Sequence, residues 1–304
     1  MISRRVGVAA LIAAAAAPAA TVAAQQPDWN AVEIRVKRVA PGVAVLFGRG
    51  GNVGLSYGTD GNVLIDDQYA PLTEKILAAV RSVDADPIRF VVNTHWHGDH
   101  SGGNENVGRT GAVIVAHDNV RRRMSMDQIV RGDAVPPSPA GALPVVTFSD
   151  DLTFHLNGDD IRIHHVEHAH TDGDALVYWS RANVLHMGDT FFNGLLSFID
   201  LDSGGSIEGA IAAVETGLSI ANETTVIIPG HGPLARRADL VRYRDMLRTL
   251  RDRVAAEIRA GRSLDQIKAL RLADPYGPPD GFISPDSLIE TIHHSLSAAG
   301  GQRG

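Results

Sequence analysis

The stretch "VVNTHWHGDHSGGN", residues 91–104, constrains this chain more than any other. It begins as an apolar run, and three histidines and one aspartate then follow within a few residues. In an extended backbone, His95 and His97 point to the same side and can bind one ion. The glycine after them lets the chain turn, so Asp99 and His100 can face a second point nearby. Burying this many titratable groups without partners is costly, so the spacing predicts a metal site.

Three further candidate ligands each follow an apolar, β-branched run. His170 lies in "HAHTDGD" after the predicted strand "DIRIHHV", Asp189 ends "NVLHMGD", and His231 follows "TTVIIPG". At strand ends a packed sheet meets solvent, and ligands from distant segments converge there. Taken singly, Asp189 fits a helix cap and His231 a turn residue. Taken with the leading cluster, the three predict one shared site.

The ligand types of this predicted site indicate the metal. Five histidines and two aspartates suit zinc, and two ions with an aspartate between them fit that number of ligands. Iron and manganese are the alternative metals. Two zinc ions, two carboxylates and one hydroxide keep a net charge of about +1. That charge favours an anionic small-molecule substrate and stabilises negative charge that develops during a reaction.

The hydrophobic pattern predicts the order of strands and helices. β-branched runs separated by Pro-Gly, Gly-Gly and Asp-Gly turns fill residues 32–67, and a second series of strands spans about 150–187. Helical spacing appears at 70–83, at about 206–220 and through most of the final third. The segment 131–144, rich in Pro, Gly and Ala, reads as a loop. Two rounds of strands and helices predict an α/β domain of two mixed sheets packed together, with helices outside.

The first 24 residues differ from the rest of the chain. Arg4 and Arg5 precede an uncharged, alanine-rich run, and Val22 and Ala24 suit the −3 and −1 positions of a signal-peptidase site. The prediction is a signal peptide over 1–24, a periplasmic or secreted protein, and a single domain over 25–304. A membrane anchor is the rival interpretation of the same run.

Charge and cysteine content exclude some classes of protein. The net charge is −7, and it becomes more negative when the two leader arginines are removed. An acidic chain is a poor candidate for nucleic-acid binding, which needs clustered Lys and Arg. The chain has no cysteine, so no disulfide stabilises it and no thiolate can bind a metal. After signal cleavage, no membrane association is expected.

The motifs "THWHGDHSGGN", "AHTDGD", "HMGD" and "PGHG" resemble those of the metallo-β-lactamase superfamily. The resemblance implies an αββα sandwich with the site along one edge of the two sheets. It assigns His95, His97 and His170 to a first zinc. It assigns Asp99, His100 and His231 to a second zinc, with Asp189 bridging the two. Asp66 in "LIDD" matches an early aspartate of the family and is expected to support the histidine loop.

The resemblance also implies a reaction. The leading hypothesis is an exported dinuclear-zinc hydrolase in which a metal-bound hydroxide attacks a carbonyl, most simply that of a cyclic amide or ester of the β-lactam or lactone type. Asp99 is the candidate catalytic residue, because it could orient the nucleophile or pass a proton. Because the chain has no cysteine, class B β-lactamases with a cysteine at the second zinc are excluded. The bridging Asp189 resembles the bridging aspartate of glyoxalase II and the acyl-homoserine lactonases more than it resembles known β-lactamases.

Three alternative functions stay open. They are a glyoxalase II-like thioesterase, an iron-dependent sulfur dioxygenase, and a non-catalytic metal-binding protein. Among the remaining polar and aromatic residues, His168 is expected to lie outside the ligand set, His186 to pack beneath Asp189, and Trp96 to anchor the histidine loop. The loops 47–54 and 131–144 are expected to flank the site.

Overall fold

The β-branched runs form strands, and the segments with helical spacing form helices. The structure is a computed structural model that describes residues 27–278 and 280–301. In that part of the chain the strands are, in order, β1 (Arg35–Ala40), β2 (Val43–Phe47), β3 (Val53–Ser56), β4 (Asn62–Ile65), β5 (Ile88–Val92), β6 (Val113–His117), β7 (Gln128–Val130), β8 (Asp133–Val135), β9 (Val146–Phe148), β10 (Asp151–Leu156), β11 (Asp159–His165), β12 (Ala175–Trp179), β13 (Val184–His186) and β14 (Val226–Ile228). The helices are α1 (Thr73–Val83), α2 (Gly98–Ser101), α3 (Asn104–Gly108), α4 (Asp118–Met124), α5 (Ile207–Ile220), α6 (Arg237–Arg259), α7 (Leu264–Lys268) and α8 (Pro285–Gly301).

The described part of the chain divides into two units, residues 27–31 and the residues from Val32 onward. In the described part of the first unit, a single 3₁₀ turn spans Trp29–Ala31, and the Asn30 backbone N–H donates to Asp28 Oδ1. The predicted signal peptide, 1–24, lies outside the described residues. In the second unit, no helix of the described residues is long and apolar enough to cross a membrane.

Two mixed sheets organise the second unit. The first has the order β1-β2-β3-β4-β5-β6-β9, antiparallel from β1 to β4 and parallel from β4 to β9. The second has the order β10-β11-β12-β13-β14, and only its last pair is parallel. This confirms the predicted α/β class with two mixed sheets.

The inner faces of both sheets bury one hydrophobic core. Alternate residues of a strand point to the same face of its sheet, so the strands that contribute to this core do so through alternate side chains. The largest contribution is that of Trp179, which is fully buried. The core residues of the first sheet are Val43, Val45, Val63, Ile65, Val92, Val115 and Phe148, and those of the second are Ile161, Ile163, Ala175, Val177, Trp179, Val184 and Ile228. The two sheets therefore pack face to face as a sandwich.

Helices cover the outer face of the second sheet. Leu176 and Leu185, on that face, share a second core with the apolar sides of α5, α6 and α8. The predicted stripe of α6 takes part in this contact: Tyr243, Leu247, Leu250 and Val254 are buried, and Ile258 is partly buried. Residues on the outer face of the first sheet, such as Leu46 and Leu64, are fully buried as well. The first sheet is therefore also shielded on both faces.

The segment 131–144 differs from its sequence-based prediction as a loop. Its beginning belongs to a hairpin in which β7 pairs with β8. Arg131 and Gly132 form the turn and have φ values of 54° and 86°. The type I′ form of a two-residue hairpin turn needs positive φ at both positions, and glycine adopts it readily. The prediction of a loop at the start of this segment was therefore wrong. The Pro-, Gly- and Ala-rich composition is typical of a loop and gives no sign of the tight turn that lets β7 pair with β8.

Helix α5 begins with a side-chain cap. The Ser206 hydroxyl accepts the Gly209 backbone N–H at 3.0 Å and donates to the His168 carbonyl at 2.9 Å. The cap satisfies one of the free N–H groups at the start of the helix. It also ties the helix to the segment that precedes His170, a candidate ligand.

We expect Ser206→Ala to lower the free energy of unfolding by about 1 kcal/mol, because it removes a helix cap. Urea unfolding followed by circular dichroism measures the change. Ser219→Ala is the matched control, since the Ser219 hydroxyl donates to the Thr216 carbonyl near the other end of the same helix. Equal unfolding midpoints for the two variants would show that the cap contributes nothing.

Candidate metal centre

The seven predicted side chains lie together beyond the carboxyl ends of four strands. His95, His97, Asp99 and His100 follow β5, His170 follows β11, Asp189 follows β13, and His231 follows β14. Their candidate ligand atoms form three groups, each with all atoms within 4.8 Å of one another: His95, His97 and His170; His95, His100 and Asp189; and Asp99, His100 and His231. The sequence motifs, up to 136 residues apart, thus converge on one place.

Hydrogen bonds to outer partners orient the rings of the first group. In the tautomers that these partners favour, His97 Nε2–H donates to Asp200 Oδ2 at 2.9 Å, and His170 Nδ1–H donates to the Phe198 carbonyl at 2.7 Å. The inward nitrogens, His97 Nδ1 and His170 Nε2, then carry lone pairs that face each other across 2.8 Å. Lone pairs this close repel unless a proton or a cation lies near both. The arrangement therefore suits a metal ion.

Two other inward atoms point to the same conclusion. His95 Nε2 is buried and has no hydrogen-bond partner among the described residues. Asp189 Oδ1 lies 3.1 Å from His100 Nε2 but is not aligned for a hydrogen bond with it. A buried polar atom without a partner costs free energy, which a bound cation would recover. The donor set therefore fits a metal.

Asp189 lies between the two halves of the cluster. Its Oδ2 is 3.7 Å from His170 Nε2 in the first group and 3.4 Å from His231 Nε2 in the third. Its Oδ1 faces His100. A carboxylate in this position can contact two ions at once, whereas a carboxylate at the rim of the cluster could contact only one.

Burial and local charge set the pKa values in the protein alone. Burial lowers the pKa of His95 well below its usual value and that of His170 to about 4, so both imidazoles are neutral at pH 7. Burial also disfavours protonation of His100 and His231, but Asp189 and the other nearby carboxylates outweigh it. The pKa of His100 is well above its usual value, and that of His231 is raised to about 9.

The pKa of Asp189 is shifted in the opposite direction from those of His100 and His231. Burial disfavours its ionised form, but the positive charges of His100 and His231 outweigh this and hold the pKa of Asp189 well below its usual value. Protons on two histidines thus balance the buried carboxylates when no other cation is present. A metal ion would compete with those protons for the same nitrogen atoms.

Asp66 supports the histidine loop from beneath. Its carboxylate accepts the Thr94 backbone N–H at 2.7 Å and the Thr94 hydroxyl at 2.8 Å. It also accepts His100 Nδ1–H at 2.8 Å, so His100 Nε2 faces the cluster. Partners of this kind fix the orientation of a ligating ring and increase its basicity.

Asp200 contacts the candidate ligand His97 but was not predicted from the sequence. Besides contacting His97, it accepts the Ser203 hydroxyl at 2.6 Å, and Ser203 in turn accepts the Trp96 indole N–H at 3.1 Å. Trp96 packs against Val120 and Met124 among other buried residues, so the predicted anchor residue also takes part in a chain of hydrogen bonds. No motif marks Asp200, because only the folded loop brings it to His97.

The other histidines near the motifs lie outside the cluster. His168 has φ of 51°, and its Nδ1 bonds to the Gly204 carbonyl. The ring of His165 stacks on that of His117 with centroids 3.7 Å apart. His186 is buried; its Nε2–H donates to the Asn52 carbonyl, and its Nδ1 accepts the N–H of Gly188, the residue before Asp189. This places His186 beneath Asp189, as expected.

The loop 48–52 packs directly on the cluster. The Gly51 N–H donates to the Asp99 carbonyl at 3.1 Å, and the Gln68 side-chain amide donates to the Gly51 carbonyl at 2.6 Å. A Cβ at Gly51 would lie 2.1 Å from His100 Cε1, so only glycine fits. This loop therefore flanks the site as predicted and closes it from one side.

Two aromatic rings and one arginine form a rim around the cluster. Phe198 is 5.4 Å from His170 by ring centroids, and Phe282 is 6.3 Å from His231. The Arg131 guanidinium, at the tip of the β7–β8 hairpin, lies 5.0 Å from the Phe282 ring and 5.9 Å from the Phe198 ring. The hairpin thus reaches the mouth of the site, on the side that the segment 131–144 was expected to flank.

Comparison with known proteins identifies the relatives of this chain. It is 30% identical over 107 residues to a hydroxyacylglutathione hydrolase of Erythrobacter litoralis, a match that covers 34% of this chain and 35% of the relative. It is 29% identical over 161 residues to a hydroxyacylglutathione hydrolase of a Polaromonas species, covering 52% of this chain and 53% of the relative. The matches thus span about a third to a half of these curated relatives.

The fold and the family model extend over more of the chain. A metallo-β-lactamase from Pontibacter korlensis superposes with a TM-score of 0.59 at 20% identity, covering 71% of this chain and 99% of that one. The family model described as the metallo-beta-lactamase superfamily matches residues 46–256, which contain all seven side chains of the cluster. The resemblance drawn from the histidine motif is therefore confirmed: the chain belongs to the metallo-beta-lactamase superfamily of metallo-hydrolases.

Proposed function

We propose that this protein is a dinuclear metal-dependent hydrolase that acts on a carbonyl substrate, with zinc as the metal. The single observation that carries the proposal is the shared position of Asp189, whose two oxygens face both halves of one buried ligand cluster. Nitrogen and carboxylate ligands without thiolate suit zinc. Membership of a superfamily of metallo-hydrolases supports the same conclusion.

The residues divide naturally between two ions. His95, His97 and His170 would hold the first, and Asp99, His100 and His231 the second, with Asp189 shared. Bound divalent ions supply Lewis-acid chemistry: they polarise a carbonyl oxygen and lower the pKa of bound water to about 7. The side chains of the first group are almost fully buried, whereas those of Asp99 and His231 are 22% and 21% exposed. Substrate would therefore arrive on the side of the second group.

Asp99 is the proposed catalytic residue. Its Oδ2 lies 3.2 Å from His231 Nε2 and 3.7 Å from His100 Nε2, at the exposed side of the cluster. From there its carboxylate can orient an attacking water molecule or accept its proton. Phe198 lies beside His170 and Phe282 beside His231, so the two rings border the mouth of the site and would limit the access of bulk water.

A cyclic amide or ester, a β-lactam or a lactone, is the proposed substrate class. A periplasmic or secreted location, which the predicted signal peptide implies, supports a substrate from outside the cytosol. A thioester is the second candidate, and the similarity to two hydroxyacylglutathione hydrolases favours it. Because those matches cover at most about half of each relative, the thioesterase activity is also a proposal.

A metal analysis combined with a substrate panel tests these functions together. We expect two equivalents of zinc per chain and hydrolysis of a penicillin, a carbapenem or a lactone. Turnover of a thioester alone would favour the second candidate. Iron with oxygen uptake would indicate a sulfur dioxygenase, and bound metal without turnover of any substrate would indicate a binding protein.

We expect His97→Ala to lose metal from the first group and to abolish turnover, because it removes one of three ligands to that ion. Metal content by elemental analysis and initial hydrolysis rates measure both effects. His168→Ala is the matched control: it lies two residues from His170 but outside the cluster. A His97→Ala protein with full metal content and full rate would refute the ligand assignment.

We expect Asp200→Ala to weaken zinc binding about tenfold to a hundredfold, because the outer partner of a ligating histidine orients its ring. Competition with a chromogenic chelator measures the affinity. Asp202→Ala, two residues away and exposed, is the control and should bind zinc as the wild type does. Equal affinities in the two variants would contradict the positioning role of Asp200.

A further inference from the structure

A basic cleft borders the candidate metal centre on its exposed side. It has a volume of about 540 Å³, and His231 forms part of its wall. Arg35, Lys37 and Arg49 also line it, and none of its lining residues is acidic. Basic residues without an acidic neighbour in the lining are notable in a chain with a net charge of −7. A cleft lined by positive charges raises the local concentration of anions inside it.

The strand register explains why the cations gather there. Arg35 and Lys37 alternate on β1 and pair with Phe47 and Val45 of β2, so both leave the strand on the same face. Val45, on that face, is fully buried in the core between the sheets. Because β1 is the end strand of the first sheet, its side chains on this face reach the open side of the sandwich. They remain exposed there and line the cleft.

The two β1 cations are available to a ligand. Within the described residues, neither Arg35 nor Lys37 forms an ion pair. The Arg35 guanidinium lies 6.0 Å from the centroid of the Phe47 ring. Arg38 serves as a contrast: it leaves β1 on the opposite face and donates to the Val83 carbonyl at the end of α1. Arg38, on one face of β1, is thus held by a hydrogen bond to the protein, whereas Arg35 and Lys37, on the other face, line the cleft.

The walls of the cleft are fixed relative to the metal centre. The Asn52 side-chain amide donates to the Pro229 carbonyl at 2.8 Å and to the Gly232 carbonyl at 3.0 Å, and these two residues flank the segment that carries His231. Apolar side chains, among them Leu195 and Leu234, complete the lining. The cleft therefore offers an apolar wall and two unpaired cations at a set position beside an exposed member of the cluster.

We propose that this cleft is a subsite that binds an anionic group of the substrate, a carboxylate or a sulfonate-like group, with Arg35 and Lys37 as its charged contacts. The group is joined to the scissile bond by a short apolar segment, which packs on the lining beside Phe47. The proposal rests on the proposed hydrolytic function and names the substrate class more closely. It makes Arg35 and Lys37 specificity-determining residues that are separate from the metal ligands.

A matched pair of substrates tests the subsite in the metal-loaded enzyme. One member carries a free carboxylate and the other a neutral carboxamide at the same position, on the lactone or β-lactam that the wild type hydrolyses best. We expect the wild type to favour the carboxylate by about tenfold in kcat/KM, the scale of charge-assisted hydrogen bonds. We expect Arg35→Gln/Lys37→Gln to bring this ratio close to 1, mainly through KM, since the contacts are distant from the reacting atoms.

Two further variants separate charge from structure. Arg35→Lys/Lys37→Arg keeps both charges and should keep the preference for the carboxylate. Arg253→Gln/Arg259→Gln removes two exposed charges from α6, outside the cleft, and should also keep it. A ratio that is the same in the wild type and the Arg35→Gln/Lys37→Gln variant would overturn the proposal.

A binding measurement separates failure of the subsite from failure of the proposed function. Calorimetric titration with phenylacetate and with phenylmethanesulfonate should show binding that is about tenfold weaker in the Arg35→Gln/Lys37→Gln variant than in the Arg253→Gln/Arg259→Gln variant. The ranking of the two probes shows which anion the cleft prefers. If the wild type hydrolyses no lactone, β-lactam or thioester, the proposed hydrolytic function is wrong, and the binding measurement alone then tests the subsite. Equal binding of both probes by these two variants overturns the subsite itself.

Discussion

The mutual repulsion of closely packed lone pairs and carboxylates is the constraint on which this structure depends. Seven such side chains meet with ligand atoms less than 5 Å apart in each group. Chain segments far apart in sequence must hold them there, and three of the histidines have a backbone or carboxylate partner outside the cluster that fixes the orientation of the ring. Asp66, Asp200 and the Phe198 carbonyl are such partners. In the protein alone, protons on His100 and His231 offset part of this repulsion, and a bound cation would relieve the rest.

The sandwich supplies the rigidity that this arrangement needs. β4, β5 and β6 run parallel in the first sheet, and β13 and β14 run parallel in the second. Parallel neighbours end at the same edge of a sheet, so the loops that follow them lie side by side. Rigid strands place a ligand more accurately than flexible loops do. The core that contains Trp179 holds the two edges together, and the ligands of both sheets thereby face one another.

Local sequence patterns predicted the strands and the histidine segment, because short-range side-chain patterns determine these features. The alternation of β-branched residues identified both sheets, and the His-x-His-x-Asp-His spacing identified the segment around which the site forms. Asp200 and Arg131 were beyond reach, because each acquires its role from a tertiary contact. Asp200 lies in a segment without regular structure, and Arg131 stands at the turn of a hairpin inside a Pro-rich stretch. The cleft formed by Arg35 and Lys37 of β1 was also not predicted, because it exists only once the strand packs beside the segment that carries His231.

The end position of β1 has a consequence for the solubility of the protein. A terminal strand presents unpaired backbone groups that invite a strand of another molecule, and natural sheets discourage such association with Lys and Arg on that strand. Arg35, Lys37 and Arg38 place like charges along this strand, so two copies of the protein would repel each other there. Side chains that select a ligand would then also protect the molecule against aggregation. A homologue without these charges would need another feature on β1 that prevents association through this strand.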